Sequence, residues 1–367
     1  MKDPRCKKLA ELLVDYSTEL KPNEKVLINV IGNADTLAAE IIEKAYAVGA
    51  IPFLQIQNPK LEAAILKGAT KETFNTQRTW EELQMQQMDA YIGIRASENC
   101  YTMKEIPSKN HELNSTLLWE PVHGKIRVPH TKWVVMRYPN DSMAQMAEMS
   151  TEAFEDYYFN VCTVDYRAMD KSMDPLVELM EKTDKVHIKG PNTDLTFSIK
   201  DIPAQKCAGR RNIPDGEVYT APVKDSVNGV IHYNTPSPHD GFVFTDMELT
   251  FKDGKIVKAT SNNTEKCNQV FDTDQGSRFV GEFALGVNPQ INKAMGDILF
   301  DEKIAGSIHF TPGASYDDAF NGNKSAVHWD LVLIQTPEFG GGEIWFDDVL
   351  IRKDGEFLLP QLKGLNP

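Results

Sequence analysis

The sequence has few cysteines and no long apolar run. Its five cysteines are an odd number without a C-x-x-C pair, which is typical of reduced thiols rather than of a disulfide framework. No apolar stretch approaches the roughly 18 residues of a transmembrane helix. The N-terminal segment carries charges throughout, unlike the continuous apolar core of a signal peptide. We therefore expect a cytoplasmic protein.

Positive charge is also scarce. Lysine and arginine total 39 against 53 acidic residues, which gives a net charge of −14. This balance argues against nucleic acid or an anionic membrane surface as partner, since both attract basic patches. A phosphate-binding loop is absent as well, because the segment "IGNADT" after the first predicted strand has a single glycine and matches neither a dinucleotide fingerprint nor a P-loop.

The length of 367 residues exceeds what one hydrophobic core usually serves and predicts two domains. In the first half, apolar runs alternate with helical periodicity, which predicts βαβ units and a mostly parallel sheet. In the second half, paired strands with Asp-Gly turns at 253–254 and 354–355 predict an α+β domain with a mainly antiparallel sheet. We place the domains at 1–182 and 183–367.

The predicted elements of the first half follow the apolar pattern of the sequence. Helical periodicity predicts helices over 4–20 and 34–50 and a long helical region over 144–182. Short apolar runs predict strands, which cover 24–32, 51–57, 89–97 and 131–139.

One pair of polar residues in the second half raises the question of a site. The segment "SAVHWDLVL" (325–333) puts His328 two residues before Asp330 in an apolar, β-prone run. Residues i and i+2 of a strand point to the same face, and a lone acid on an apolar face needs a partner. The two side chains therefore hold each other, a substrate or a metal ion.

Further segments of the second half place polar residues in tight turns or at the ends of apolar runs. They contain Glu217 in "DGEV", Glu282 in "GEFALG", Glu302 and His309 in "FDEKIAGSIHF", and Tyr316 in "GASYDD". Histidine and carboxylate ligands together suit zinc, cobalt or manganese. Three Glu, one Asp and two His would suffice for two adjacent ions. Taken singly, each of these residues is commonly a solvated turn residue or a structural histidine.

In their order and spacing, these motifs resemble the aminopeptidase T / aminopeptidase S family of thermophilic-type metallo-aminopeptidases, which includes PepS-like enzymes. The motifs cover residues 213–333, and the predicted βαβ half is consistent with the N-terminal domain of that family. The resemblance implies a hydrolase that releases N-terminal amino acids from peptides by means of water activated at two divalent ions. Zinc, cobalt, manganese or magnesium would serve. It also implies a homodimer, in which the first domain covers the site or forms the dimer.

The resemblance gives each motif residue an expected role. Glu282 is the ligand that bridges both ions, Glu282 or Glu302 is the general base, and the phenol of Tyr316 donates to the tetrahedral intermediate. Glu302 follows the spacing of the family less closely than the other residues do. The implied metal ligands are Glu217, Glu282, Glu302, His309, His328 and Asp330.

Two departures from the family pattern leave other functions open. The segment 316–328 is shorter than in the longer members, and Thr-Pro at 311–312 replaces a commoner apolar pair. The alternatives are a metal-dependent hydrolase of a non-peptide amide or ester, and a non-catalytic protein that binds a small ligand. Three basic residues are interpreted as surface charges, with contact to a substrate carboxylate as the alternative: Arg210, Arg211 and Lys303.

Overall fold

The structure is a computed structural model and describes residues 3–239 and 241–367. Its contacts divide the chain into two compact units, one of Met1–Thr163 with Gly209–Ile213 and one of Val164–Ala208 with Pro214–Pro367. We call them the first and the second unit. No helix among the described residues combines the length and the apolar character that a membrane span requires.

The helices of the first half follow the predicted periodicity with shorter bounds. The predicted helix 4–20 is an α-helix that continues as a π-helical turn, Leu13–Ser17, and the predicted region 144–182 consists of three helices. The α-helices are α1 (Pro4–Leu12), α2 (Asp35–Ala47), α3 (Pro59–Gly68), α4 (Lys71–Met85), α5 (Ser108–Asn114), α6 (Val128–His130), α7 (Asp141–Met146), α8 (Thr151–Cys162), α9 (Tyr166–Lys182), α10 (Thr264–Phe271) and α11 (Ile298–Asp301).

The remaining helical segments are of other types. A π-helical segment, Ser115–Arg127, connects α5 to α6. Short 3-10 turns cover Asp317–Ala319, Pro337–Phe339 and Pro360–Leu365.

The strands alternate with helices in the first half and follow one another directly in the second. In chain order they are β1 (Lys25–Gly32), β2 (Ile51–Gln57), β3 (Ala90–Ala96), β4 (Lys132–Arg137), β5 (Lys185–Gly190), β6 (Thr193–Ser198), β7 (Gln205–Cys207), β8 (Asn212–Ile213), β9 (Glu217–Thr220), β10 (Asn228–His232), β11 (Ser237–His239), β12 (Phe242–Phe244), β13 (Glu248–Lys252), β14 (Lys255–Thr260), β15 (Val280–Gly286), β16 (Ser307–Pro312), β17 (Val332–Ile334), β18 (Glu343–Phe346), β19 (Val349–Lys353) and β20 (Glu356–Phe357).

The first unit is built on a parallel sheet of order β2-β1-β3-β4-β8. Its central strands are apolar runs because both faces of a parallel sheet are covered by helices. In β1 and β3, Ile28 lies beside Ile92, and both are fully buried. The predicted parallel sheet is confirmed.

The second unit contains two larger antiparallel sheets. One has the order β14-β13-β10-β6-β5-β18-β19-β20, and the other the order β17-β16-β15-β9-β7. Aromatic rings fill the space between them, since the ring of Phe197 on β6 lies 5.0 Å from both Phe283 on β15 and Phe310 on β16. The predicted antiparallel α+β architecture is confirmed.

The chain passes from the first unit to the second after Thr163, about twenty residues before the predicted boundary between 182 and 183. Helix α9, which we assigned to the first domain, belongs to the second unit. It packs against β7, β9 and the C-terminal turn Pro360–Leu365. Five residues along its length are buried, from Tyr166 to Met180, so tertiary packing decides where the helix belongs.

A β-bulge at Gly281 positions Glu282 in the sheet. The register of β15 against β16 shifts between Val280, which pairs with Pro312, and Glu282, which pairs with Thr311. A Cβ atom at Gly281 would lie 2.1 Å from the carbonyl oxygen of Ala314, so no larger residue fits there. Bulges of this kind redirect the side chain that follows.

The segment that contains His328 differs from the predicted strand over 325–333. Only Val332–Ile334 forms a regular strand, and His328 makes an isolated bridge to Gly313. Gly313 has a φ of +112°, which breaks the regular ladder at the end of β16. The chain still runs beside β16, because the Trp329 amide donates to the carbonyl of Pro312.

Replacing Gly281 by alanine should destabilise the second unit. The new methyl group would push against the backbone of Ala314, and such overpacking costs about 1–3 kcal/mol. Gly68→Ala, at the end of α3 with nothing within 4 Å of its Cβ position, is the matched control and should be neutral or slightly stabilising. Urea unfolding measures both variants. Equal unfolding free energies would contradict the role of the bulge.

Candidate metal centre

The second unit brings the six expected ligands together. Glu217 begins β9, Glu282 lies in β15 and His309 lies in β16. Of the others, Glu302 directly follows α11, and His328 and Asp330 lie in the segment before β17. Their ligand atoms form overlapping groups within 4.8 Å: Glu217 with Glu282 and His309, Glu282 with His328 and Asp330, and Glu302 with His309 and Asp330. Residues that are up to 113 positions apart in the chain thus share one small volume.

Glu282 is common to two of these groups. Its Oε1 lies 3.3 Å from Nε2 of His309, and its Oε2 lies 3.2 Å from Nε2 of His328. Nε2 of His309 also lies 3.3 Å from Oε2 of Glu217, and Nε2 of His328 lies 3.3 Å from Oδ1 of Asp330. The carboxylate of Glu282 therefore stands between two imidazoles, each of which faces a second carboxylate.

The protonation of His328 fits a metal ligand. Its Nδ1 lies 2.8 Å from the carbonyl oxygen of Ala314. A carbonyl only accepts, so Nδ1 carries the proton and donates it, as histidine ligands of metals commonly do. In the neutral ring, Nε2 then presents a lone pair. It is buried without a hydrogen bond, although Glu282 and Asp330 are close. A cation placed among these atoms would satisfy all of them.

The pKa values of the cluster residues are also those expected of a site that attracts cations. Burial alone would lower the pKa of His309, but Glu217 and Glu282 outweigh it and raise that pKa to about 10. Burial raises the pKa of Glu302 to about 8. The ammonium of Lys303 lowers this pKa, but by less than burial raises it. Asp330 is also buried, yet His328 holds its pKa well below the usual range. The density of negative charge thus holds protons on the imidazoles of the metal-free chain.

Lys303 is a buried residue that the sequence analysis wrongly interpreted as a surface charge. Its side chain is 0% exposed, and its Nζ lies 2.5 Å from Oε1 of Glu217 and 2.5 Å from Oε1 of Glu302. Asp215 lies 3.7 Å away on another side. The ammonium is therefore a buried counter-ion of the cluster and not a surface charge. The sequence contains little signal of this, because Lys303 directly follows Asp301 and Glu302 and the three residues together are typical of a charged turn.

The other two basic residues lie in the first unit. Arg210 pairs with Glu19 at 3.1 Å, and its guanidinium lies over the ring of Tyr16. The guanidinium of Arg211 lies over the ring of Trp133.

Thr311 is a second residue whose role the sequence did not show. The sequence analysis took the Thr-Pro pair as a departure from the family pattern that leaves other functions open. In the structure the hydroxyl of Thr311 is fully buried and donates to Oδ1 of Asp330 at 2.8 Å. Thr311 therefore orients a candidate ligand.

Two residues flank the cluster. Tyr316 is 47% exposed, and its ring lies 4.8 Å from the imidazole of His328. This places its ring beside the cluster. Cys207 forms a further possible ligand group with Asp215 and Glu217, although the sequence pointed to no cysteine. Burial raises the pKa of its thiol well above the usual range, which disfavours the thiolate that binds metal.

Comparison with known proteins agrees with this geometry. The family profile described as Thermophilic metalloprotease (M29) matches residues 2–357. Aminopeptidase 2 of Geobacillus stearothermophilus is 25% identical over 401 residues, which covers 95% of this chain and 94% of the relative. The structure of wild-type AmpT from Thermus thermophilus has a TM-score of 0.83 at 21% identity and covers 97% of this chain and 99% of that chain.

A second solved structure has a similar fold and is named for a different reaction. The 2,5-dihydroxypyridine dioxygenase of Pseudomonas putida has a TM-score of 0.62 at 11% identity and covers 98% of both chains. One fold thus carries a different chemistry, and the fold does not by itself indicate peptide hydrolysis. The family match over nearly the whole chain confirms the resemblance seen in the ordered motifs, and with it the prediction of a metal-dependent hydrolase. The chain belongs to the thermophilic metalloprotease family, the M29 peptidases.

Proposed function

We propose that the chain is an aminopeptidase that uses two divalent ions to hydrolyse the first peptide bond of substrates with a free N-terminus. The shared position of Glu282, between the imidazoles of His309 and His328, carries this proposal. A carboxylate with one oxygen toward each of two ligand groups is an arrangement that suits a pair of adjacent ions. The curated relatives that match along most of the chain are named aminopeptidases.

The charge of the cluster supports two ions rather than one. With neutral imidazoles, five carboxylates around one ammonium leave four negative charges, and two divalent cations would balance them. The charged members are Asp215, Glu217, Glu282, Glu302, Asp330 and Lys303. Mixed imidazole and carboxylate ligands suit zinc, cobalt or manganese, and a site rich in carboxylates also accepts magnesium.

Divalent ions bound here would supply an acidified water and a polarised carbonyl oxygen. The protein residues would supply the proton transfers. Glu282 is engaged with both histidines, whereas Glu302 contacts Lys303 through one oxygen and has a pKa raised by burial to about 8. Bound cations would lower this pKa, so that the carboxylate is ionised and can accept a proton near neutral pH. We therefore assign Glu282 as ligand and Glu302 as general base, with the phenol of Tyr316 as hydrogen-bond donor to the substrate.

The structure gives the alternative functions less support. The hydrolase of a non-peptide amide or ester was motivated by Thr311 and Pro312. Thr311 is now accounted for by its hydrogen bond to Asp330. A purely ligand-binding protein has no need for a histidine whose Nε2 faces two carboxylates.

We further propose a cytoplasmic homodimer in which the first unit limits access to the site or forms the dimer contact. The cytoplasmic location is supported by the free thiols of all five cysteines, which are typical of a reducing compartment. The dimer is supported by β2, an edge strand of the parallel sheet that exposes Phe53, Leu54 and Ile56. An apolar edge strand invites pairing with another chain.

The substrate assignment is tested with blocked and free N-termini. The metal-loaded chain should hydrolyse leucine p-nitroanilide and should leave its N-acetyl derivative intact. Glu302→Gln should lower kcat by about 10²–10⁴-fold because the base is lost, with metal content measured in parallel. Glu265→Gln, at the start of α10, should leave kcat unchanged. Equal cleavage of both anilides would contradict an aminopeptidase, and a metal-loaded chain without turnover would contradict catalysis.

Metal affinity should rise with pH. Below its pKa of about 10 in the metal-free chain, His309 is protonated and must lose that proton to act as a ligand. Zinc binding near pH 7 should therefore release protons, and affinity should weaken as the pH falls from about 8 to about 6. Calorimetry in buffers of different ionisation enthalpy measures this release.

The calorimetric measurement compares two variants in which a histidine is replaced. His309→Gln should reduce the number of protons released, whereas His111→Gln, an exposed imidazole, should leave it unchanged. Zinc affinity that does not vary with pH would contradict His309 as a ligand.

A further inference from the structure

The first unit contains a polar cavity of about 150 Å³ that the proposed reaction does not use. It lies on the face of the parallel sheet that is covered by α4 and by the π-helical segment Ser115–Arg127. Two guanidinium groups and two carboxylates line it, together with neutral amides and apolar side chains. The charged lining residues are Arg95, Arg127, Glu62 and Glu81.

The cavity lies where ligands of parallel sheets usually bind. The chain runs from β1 outward to β2 and then returns to β3 on the other side of β1, so the strand order reverses between β1 and β3. Open parallel sheets bind ligands at such a reversal, near the carboxyl ends of the strands. Gln57 ends β2, and Arg95 is the next-to-last residue of β3; both line the cavity.

Arg95 is held in place by neutral partners. Its guanidinium donates to Oδ1 of Asn29 at 2.9 Å and to the hydroxyl of Tyr91 at 3.2 Å. The Tyr91 hydroxyl donates to the same oxygen of Asn29 at 3.1 Å. Gly93 leaves room for this arrangement, since a Cβ there would lie 2.8 Å from the ring of Tyr91. The sheet thus presents a fixed cation.

Arg127 is a buried cation with an unused donor. It is 6% exposed, and its Nε donates to Nδ1 of His123 at 3.0 Å. Burial, together with Arg127 and Arg95, lowers the pKa of His123 to about 4, so this partner is neutral. The guanidinium lies over the rings of Tyr91 and Trp133. Its Nη1 is buried without a hydrogen bond, which is costly for a charged group unless a ligand supplies the acceptor.

The helices contribute the opposite charge. Oε2 of Glu62 is also buried without a hydrogen bond. Burial raises the pKa of the Glu62 carboxyl group, and the negative charge of Glu81 adds to this effect. The nearby guanidinium of Arg95 opposes it. Glu81 accepts a hydrogen bond from Gln77 at 2.8 Å. The cavity therefore holds an unsatisfied donor on a cation and an unsatisfied acceptor on an anion.

We propose that this cavity binds a small zwitterionic α-amino acid, with its carboxylate on Arg127 and its ammonium on Glu62. A molecule with both charges satisfies both atoms at once, whereas a simple anion or amine satisfies one. A cavity of roughly 150 Å³ accommodates a molecule of about the size of benzene, which has as many non-hydrogen atoms as alanine. Free amino acids are also the product class of the proposed reaction, but the binding site does not depend on that activity.

Calorimetry of the full, metal-loaded chain with L-alanine tests the proposal. We expect one alanine per chain, bound more tightly than acetate or ethylamine. Glu62→Gln and Arg127→Gln should each weaken alanine binding by about tenfold or more, because each removes a charged partner. Arg78→Gln, which lies on α4 outside the cavity lining, is the control and should bind as the wild type does. Glu282→Gln should also bind alanine, because the cavity is not the metal centre.

Several results would overturn this site. They are the absence of saturable binding by glycine, alanine and serine, binding that both cavity variants leave unchanged, and binding lost in Glu282→Gln. Acetate binding as tight as that of alanine, and unaffected by Glu62→Gln, would show an anion site instead. If Arg127→Gln does not fold, crystals of the wild-type chain soaked in alanine decide the matter. Water alone between Arg127 and Glu62 would then contradict the proposal.

Discussion

The buried ammonium of Lys303 lies 2.5 Å from both Glu217 and Glu302, and the candidate metal centre is arranged around these contacts. Carboxylates removed from water each cost several kcal/mol unless cations accompany them. One lysine cannot balance the carboxylates that β9, β15, α11 and the segment before β17 direct to the same place. The remaining imbalance explains the high pKa of His309, and it is the charge that the proposed divalent cations would balance. Stability and metal binding therefore depend on the same charges.

The sequence predicted the architecture because apolar periodicity is a local signal. The strand predicted over 51–57 has those bounds as β2, and the Asp-Gly pair at 253–254 joins β13 to β14. Long-range packing was less visible. Helix α9 belongs to the second unit through contacts with β7 and β9, and the run around His328 is mostly irregular because Gly313 interrupts the ladder. Neither effect is encoded in neighbouring residues.

The candidate site, like the fold, was predictable from the sequence only in part. Candidate ligands were recognisable because histidines and acids stand in apolar surroundings, as His309 does in "GSIHF". The roles of Lys303 and Thr311 depend on partners elsewhere in the chain, so residue type alone did not indicate them. The sequence indicated the cavity of the first unit only weakly, through Asn29 and Arg95, which are single polar residues within apolar strands. In both places a glycine, Gly281 or Gly93, makes room for the arrangement.

The number of metal ions per chain tests the central claim most directly. Elemental analysis of the wild-type chain after zinc loading and removal of free metal should give about two divalent ions per chain, as a shared carboxylate between two ligand groups requires. In Glu282→Gln this number should fall, because Glu282 belongs both to the group with Glu217 and His309 and to the group with His328 and Asp330. A wild-type chain that binds no zinc, or a Glu282→Gln chain with undiminished content, would contradict the account of a two-metal centre.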